Sequence, residues 1–165
     1  MEFLFSELRD TYFHPIKTFL KPIFEYENVV MSELADLILE QSEVGTVIKT
    51  ELEEDTGNQN VDLFALITIL NMRFYKDKPV FKQIKDFIKE KINKYASEQN
   101  KIVANEILQT DNIGFFINER AVNLPMPLIP PLLNLLKEDI NDFKEDEDNK
   151  GDDKFDFEYV CMVSK

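Results

Sequence analysis

The chain has 165 residues, of which 44% are hydrophobic, so it is long enough to bury a core and is predicted to form one domain over residues 1–165. Its single cysteine excludes an internal disulfide and fits a reducing compartment, and the lack of a long apolar run or a basic, cleavable start predicts neither a membrane span nor a signal peptide. The net charge of −13 predicts repulsion from nucleic-acid phosphates and attraction to basic partners, so we expect no direct binding to nucleic acid or to a membrane.

The first elements predicted along the chain are a strand and a helix. Residues 1–8 place Phe3 and Phe5 on one face, as in a half-buried strand. A helix follows, and Pro22 predicts that it kinks or ends there because proline cannot donate an interior hydrogen bond. Its core-facing residues recur at helical spacing. They are Ile16, Phe19, Leu20, Ile23 and Phe24.

A second helix and two strands are predicted next. Ser32 is the expected N-cap of a helix that buries Leu34, Leu37 and Ile38. Gly45 then introduces a β-branched strand over residues 46–50. After an acidic loop at residues 51–60, the nearly continuous apolar run at 61–72 predicts a central strand that is covered on both faces.

Residues 78–98 show the clearest helical pattern, and a further helix carries Ile102, Val103, Ile107 and Leu108. The apolar stripe of the first of these helices is lined by a row of lysines, which we interpret as a solvated face. The stripe consists of Phe81, Ile84, Ile88, Ile92 and Tyr95.

The segment from Gly114 to Leu136 predicts a buried strand, a loop and a helix. Pro130 and Pro131 fit the first helical turn, where no backbone N–H is needed. A loop in this position is where an open α/β sheet normally binds a ligand. Residues 118–127 contain no glycine, however, so the loop is unsuited to cradling a phosphate. The inward helical residues are predicted to be Leu128, Leu132, Leu133 and Leu136.

The last predicted elements are a second acidic loop at residues 142–153 and a half-buried strand. In that strand, apolar residues alternate with Asp156 and Glu158, and the apolar set is Phe155, Phe157, Tyr159, Cys161 and Val163. Strands that alternate with helices predict an α/β fold with a mixed sheet covered by helices on both faces.

The two acidic loops hold much of the excess charge. Residues 51–55 contain four acids and no base, and residues 142–154 contain seven acids and three lysines, whereas residues 73–101 contain nine bases and four acids. The loops are either solvated, mobile connectors or an electrostatic attraction for a basic protein. On the second interpretation, the partner-binding carboxylates are Glu51, Glu53, Glu54, Asp55, Glu145, Asp146, Glu147, Asp148, Asp152 and Asp153.

Candidate catalytic and metal-binding residues are few. His14 is the only histidine and has no motif neighbours, and Cys161 has no adjacent base, so both are interpreted as structural. Residues 146–157 partly match the pattern of a calcium-binding loop, but the last position is Phe157, where a bidentate glutamate is required. Glu119 and Arg120 are interpreted as a structural ion pair that fixes the loop. We therefore predict no cofactor, no metal and no catalytic residue.

Residues 114–125, which read GFFINERAVNLP, resemble the signature of the BCCIP family, known in fungi as the Bcp proteins. Residues 34–39 (LADLIL), 45–50 (GTVIKT) and 151–154 (GDDK) agree in the same order. The signature positions are Gly114, Glu119, Arg120, Asn123 and Pro125, with a structural role expected. The resemblance implies a fold similar to the GCN5-related acetyltransferases (GNAT-like) without their activity. Against the family pattern, the chain is expected to lack an acidic amino-terminal tail and further elements beyond residue 165, which leaves the fold incomplete at the C-terminus.

The resemblance also implies a function. Proteins of this family are nuclear, with cytoplasmic shuttling, and act as non-enzymatic chaperones of a basic large-subunit ribosomal protein during biogenesis and export of the large ribosomal subunit. One alternative is a cell-cycle or DNA-repair adaptor that binds a cyclin-dependent kinase inhibitor and a breast-cancer susceptibility protein. The other alternative is an acyl-CoA-dependent transferase.

Overall fold

The computed structural model describes residues 2–24, 29–50 and 61–164. Five strands of the described residues form one sheet in the order of the sequence: β1 (Phe3–Glu7), β2 (Thr46–Thr50), β3 (Leu63–Asn71), β4 (Ile113–Arg120) and β5 (Tyr159–Met162). The pairs β1–β2, β2–β3 and β3–β4 are antiparallel, whereas β5 runs parallel to β4. A parallel neighbour needs a long crossover connection, and a helix supplies it here.

In these described ranges, five α-helices accompany the sheet: α1 (Phe13–Leu20), α2 (Met31–Glu40), α3 (Pro79–Tyr95), α4 (Glu98–Thr110) and α5 (Ile129–Glu145). Short 3-10 turns lie at Asp10–Tyr12, Lys21–Phe24, Met126–Leu128 and Glu147–Asn149. None of the helices in the described ranges combines the length and the apolar character that crossing a bilayer requires.

The sheet separates two apolar cores. Helices α1 to α4 pack on one face, where Leu66 and Leu70 of β3 meet Phe115 of β4. Helix α5 packs on the other face, against Ile67 and Ile69. Because β3 contributes side chains to both cores, it has almost no exposed residue. The predicted central strand, and a mixed sheet with helices on both faces, are confirmed.

Prolines determine where one helix ends and another begins. Helix α1 ends at Leu20, just before Pro22, and continues as a 3-10 turn, as predicted. Pro130 and Pro131 lie in the first turn of α5, also as predicted.

The predicted cap of α2 is wrong, because Ser32 lies inside the first turn and Val30 is the N-cap, without a side-chain cap. Two contacts between helices replace it. The Val30 N–H donates to Gln83 Oε1 of α3 at 2.8 Å, and the Val80 N–H at the start of α3 donates to Glu33 Oε2 of α2 at 2.9 Å. Each helix therefore satisfies a free backbone donor near the other's amino terminus.

Two predicted burial assignments differ from the structure. Tyr95, the last residue of α3, is 70% exposed, whereas Val80 and Phe87 of the same helix are buried. Leu133 of α5 is 38% exposed, while Leu132 and Leu136 face the core.

The predicted strand over residues 155–163 is restricted to β5. Phe155 and Phe157 pack in the core under α5, whereas Cys161 and Val163 pack in the core on the opposite face. Alternate residues of one strand must share a face, so these four side chains cannot belong to one continuous strand.

The structure also differs from the predicted acidic loop at residues 142–153. Residues 142–145 belong to α5, and Glu147–Asn149 form a 3-10 turn, so only part of the segment 142–153 is irregular. The loop predicted at residues 51–60 lies outside the described residues.

Candidate functional site

An open cleft of about 670 Å³ lies between β1, the turn that precedes β2 and the carboxyl-terminal half of α5. None of its described lining residues is basic. We call it the acidic cleft. Its five carboxylates are those of Glu7, Glu43, Asp139, Asp142 and Asp146.

The fold brings these carboxylates together from distant parts of the sequence. Glu7 ends β1, and Glu43 belongs to the turn between α2 and β2. Helix α5 crosses the same face of the sheet, and Asp139 and Asp142 are three residues apart, so they project from one side of that helix. Asp146 is the residue that follows α5. The strand order and the position of α5 on the sheet together create the charge density of the cleft.

Gly45 connects the turn to α5 and lets the turn lie close against the sheet. Its N–H donates to Asp139 Oδ2 at 3.1 Å. Its φ is +144°, and a Cβ at this position would lie 2.8 Å from Leu8 Cδ1 and 2.9 Å from the backbone oxygen of Ile67. No other residue type fits this conformation and this space, which explains the glycine.

A buried polar network anchors the same turn to the sheet. The Gln41 side chain, which is completely buried, donates from Nε2 to Thr68 Oγ1 at 3.1 Å and to the Ile69 carbonyl at 2.8 Å. The Thr68 hydroxyl donates to the Val44 carbonyl at 2.8 Å. The Tyr75 hydroxyl donates to Gln41 Oε1 at 3.4 Å. Residues 41–45 are therefore fixed on both sides of Glu43.

The electrostatics of the cleft favour a bound cation. Burial raises the pKa of Asp139, the hydrogen bond from Gly45 lowers it, and the carboxylates of Asp142, Glu7 and Glu138 raise it further. A carboxylate that is partly desolvated among like charges is stabilised when an opposite charge approaches. Among the described residues, no group of His, Cys, Asp and Glu side chains is arranged to hold a metal ion.

Most of the predicted partner-binding carboxylates lie elsewhere. Asp146 lines the cleft, but its Oδ1 also accepts a hydrogen bond from the Asp148 N–H at 2.9 Å. Asp153 forms an ion pair with Arg73 at 2.6 Å, and Glu147 approaches Lys150 at 3.4 Å. Asp152 Oδ1 accepts a hydrogen bond from the Lys154 N–H at 2.8 Å. Glu145 ends α5 and is not among the cleft residues, and Glu51, Glu53, Glu54 and Asp55 lie outside the described residues.

The remaining cleft residues were not predicted from the sequence. Glu7 and Glu43 are isolated acids in unremarkable segments, and only the pairing of β1 with β2 reveals that they are neighbours. The spacing of Asp139 and Asp142 was the one local signal, because it places two acids on one side of a helix.

A protein-family model described as BCCIP matches residues 1–165, the whole chain. The chain belongs to the BCCIP family. Its curated relatives include Protein BCP1 of Debaryomyces hansenii, which is 31% identical over 94% of this chain and 51% of its own length. Protein BCCIP homolog of Arabidopsis thaliana is 33% identical over 99% of this chain and 49% of its own length. This BCCIP-family chain thus spans about half the length of these relatives.

A solved structure supports the fold of the BCCIP-family chain. The crystal structure of BCP1 from Saccharomyces cerevisiae superposes with a TM-score of 0.63 at 22% identity, covering 88% of this chain and 59% of the yeast chain. This match shows a shared fold.

In the BCCIP-family chain, Gly114 has a clear structural reason. A Cβ there would lie 2.6 Å from Ile69 Cδ1 and 2.9 Å from Phe157 Cδ2, so any other residue would force these side chains to move. Asn123 is exposed in the turn after β4, and Pro125 precedes the 3-10 turn Met126–Leu128.

Glu119 and Arg120 do not form the predicted ion pair. Adjacent residues of a strand point to opposite faces, and within the described ranges the Glu119 carboxylate has no hydrogen-bond or ion-pair partner. Burial raises the pKa of Glu119, and the charge of Arg120 lowers it. Both residues line a second cleft, of about 810 Å³, together with His14.

The amino terminus of α5 is poor in hydrogen-bond donors. A helix terminus binds anions through its free N–H groups, but Pro130 and Pro131 in the first turn of α5 carry none.

Cys161 of β5 is partly buried, and burial raises the pKa of its thiol, which keeps it protonated near neutral pH.

Proposed function

We propose that this chain is a non-enzymatic, acidic chaperone or adaptor that binds a basic large-subunit ribosomal protein and supports biogenesis and nuclear export of the large ribosomal subunit. The observation that carries the proposal is the acidic cleft, because its described lining includes five carboxylates and no basic residue, which suits lysine and arginine side chains. A ribosomal protein carries such side chains to bind RNA, and the cleft would shield them until the protein reaches the pre-ribosome. Nuclear localisation with cytoplasmic shuttling is part of the same proposal.

A GNAT-like arrangement without transferase activity is also part of the proposal. In those acetyltransferases the cofactor pyrophosphate is held at a strand-loop-helix position, and in this chain β4, the loop after it and α5 form a unit of the same kind before the parallel β5. Here the loop contains no glycine and α5 begins with two prolines, which disfavours that use. The acidic cleft, at the other end of α5, is the better candidate for a working surface.

The test compares two variants with equal net charge. The cleft variant carries Glu7→Gln, Glu43→Gln, Asp139→Asn and Asp142→Asn. The matched control carries four neutralised acids on α3 and α4, across the sheet: Asp86→Asn, Glu90→Gln, Glu98→Gln and Glu106→Gln. Each variant changes the net charge from −13 to −9, because four negative charges are removed (−13 + 4).

Affinity for purified basic large-subunit ribosomal proteins is measured at rising ionic strength. We expect the cleft variant to bind about tenfold more weakly at low salt and the control to stay within about twofold of the parent chain. Equal loss in both variants would refute the cleft as the binding surface, and absence of binding by the parent chain would refute the chaperone proposal.

Two further measurements address the alternatives. Stoichiometric binding of acetyl-CoA in a calorimeter would favour the acyl-CoA-dependent transferase. Co-purification of a cyclin-dependent kinase inhibitor or repair proteins from nuclear extract, in place of ribosomal proteins, would favour the cell-cycle or repair adaptor.

A further inference from the structure

The strand β1 forms an edge of the sheet beside the acidic cleft. It pairs with β2 on one side, and no strand of the described residues pairs with its other side. An unpaired edge presents backbone N–H and C=O groups that can hydrogen-bond to another extended chain.

The edge of β1 is short and carries the charged Glu7, but it lacks several other features that prevent such pairing. Its sequence, FLFSE, contains neither proline nor lysine. Its pairing with β2 runs from Phe3 opposite Thr50 to Glu7 opposite Thr46 without a bulge, whereas the next pair of strands has an irregularity at Ile48 and Lys49. Proteins commonly protect edges with such residues or bulges, so β1 is available as a template.

The side chains of β1 connect this edge to the cleft. Phe3, Phe5 and Glu7 share the face that α5 covers, since alternate residues of a strand lie on one face. Phe3 packs edge-to-face on Phe64 at 5.2 Å, while Phe5 and Glu7 line the cleft. A strand added beside β1 would place every second side chain over the same face, next to Phe5 and toward Asp139 and Asp142.

We propose that β1 is a docking edge for an extended, basic segment of a partner protein, which joins the sheet as an additional strand and places alternate lysine or arginine side chains in the acidic cleft. The proposal rests on the proposed function, since it specifies how a basic partner is held. The charge of the cleft selects basic side chains, and Phe5 contacts their aliphatic stems. Backbone hydrogen bonds supply affinity, and the alternation supplies specificity.

The test uses synthetic peptides and the full chain. The first comparison is between a short peptide in which lysine alternates with valine and a peptide of the same composition in which the lysines are consecutive. Strand addition predicts that the alternating peptide binds at least about fivefold more tightly, because only its lysines all face the cleft. Equal affinity of the two peptides would indicate that net charge alone determines binding and would overturn the proposal.

The second comparison removes backbone donors without changing charge. The alternating peptide is N-methylated at either its odd or its even positions. An added strand donates to β1 from only one of these sets, so one series should lose about tenfold or more in affinity and the other should lose little. Equal effects of the two series, or no peptide binding at about millimolar concentration, would overturn strand addition.

Failure of this proposal is distinguishable from failure of the proposed function. If the parent chain captures the ribosomal protein and the cleft variant does not, while the peptides show no preference for alternation, the chaperone proposal survives and the strand-addition proposal fails.

Discussion

The buried side chain of Gln41 offers a direct test of how the acidic cleft is held in place. Replacement by leucine keeps a similar volume but removes the two Nε2 hydrogen bonds, to Thr68 Oγ1 and to the Ile69 carbonyl, and the acceptor of the Tyr75 hydroxyl. These groups lie in the core, where water does not replace the lost partner.

The magnitude follows from which groups are left unpaired. Thr68 keeps its bond to the Val44 carbonyl at 2.8 Å, and the bond from Tyr75, at 3.4 Å, is weak. The bond at 2.8 Å to the Ile69 carbonyl is the main loss. An unsatisfied buried partner costs about 1–3 kcal/mol, so the sum over one strong and two weaker losses is about 2–4 kcal/mol. This is a large part of a typical stability of about 5–15 kcal/mol.

Urea unfolding of the parent chain, Gln41→Leu, Tyr75→Phe and the double variant measures this loss. We expect the double variant to lose less than the sum of the single variants, because Tyr75→Phe removes a hydroxyl that Gln41→Leu leaves unpaired. The exposed Gln99→Leu serves as the control and should change stability by less than about 0.5 kcal/mol. A loss below about 1 kcal/mol for Gln41→Leu would refute the role assigned to the network.

Three further predictions concern glycine and titratable groups. Gly45→Ala should destabilise by about 2 kcal/mol or more in thermal unfolding, and more than Gly151→Ala, because both have positive φ but only Gly45 also lacks space for a Cβ. The pKa of Tyr75 is raised from 10.0 to about 12 by burial and the nearby acids, so the folded state retains this proton and stability should fall as pH rises through that interval, less steeply in Tyr75→Phe. The pKa of Asp139 is also raised, so its ionisation weakens the fold as pH rises, and Asp139→Asn should stabilise the chain by about 0.5–1 kcal/mol at neutral pH in urea unfolding.

The spacing of apolar residues correctly predicted those strands and helices whose residues all lie in one kind of environment. The strand β3 is covered on both faces, so its unbroken apolar run was a sufficient signal. The alternation of apolar residues at 155–163 predicted one strand wrongly, because its residues pack in two different cores. Phe155 packs on Phe143 of α5, with ring centroids 4.8 Å apart, while Cys161 packs in the opposite core. A pattern along the chain does not show which of two cores accepts each side chain.

The binding site was only partly predictable for a related reason. The run of acids predicted a binding surface at residues 142–153, but Asp153 is paired with Arg73, and Glu147 approaches Lys150. Glu7 and Glu43 gain significance only from the strand order, which places them beside α5. The density of charge along the sequence differs from the density of charge in space, and the second can be found only once the fold is known.

The acids of α5 oppose the stability of the helix that carries them. Glu138, Asp139, Asp142 and Glu145 lie in its last two turns, where the free carbonyl groups already give the helix end a partial negative charge and basic residues are favoured. A bound cation relieves this repulsion, and so does dissolved salt, whose screening length is about 8 Å at physiological ionic strength. Rising salt should therefore raise the melting temperature of the free chain while lowering its affinity for a basic partner. If both quantities move in the same direction, the cleft charges are not the link between stability and binding.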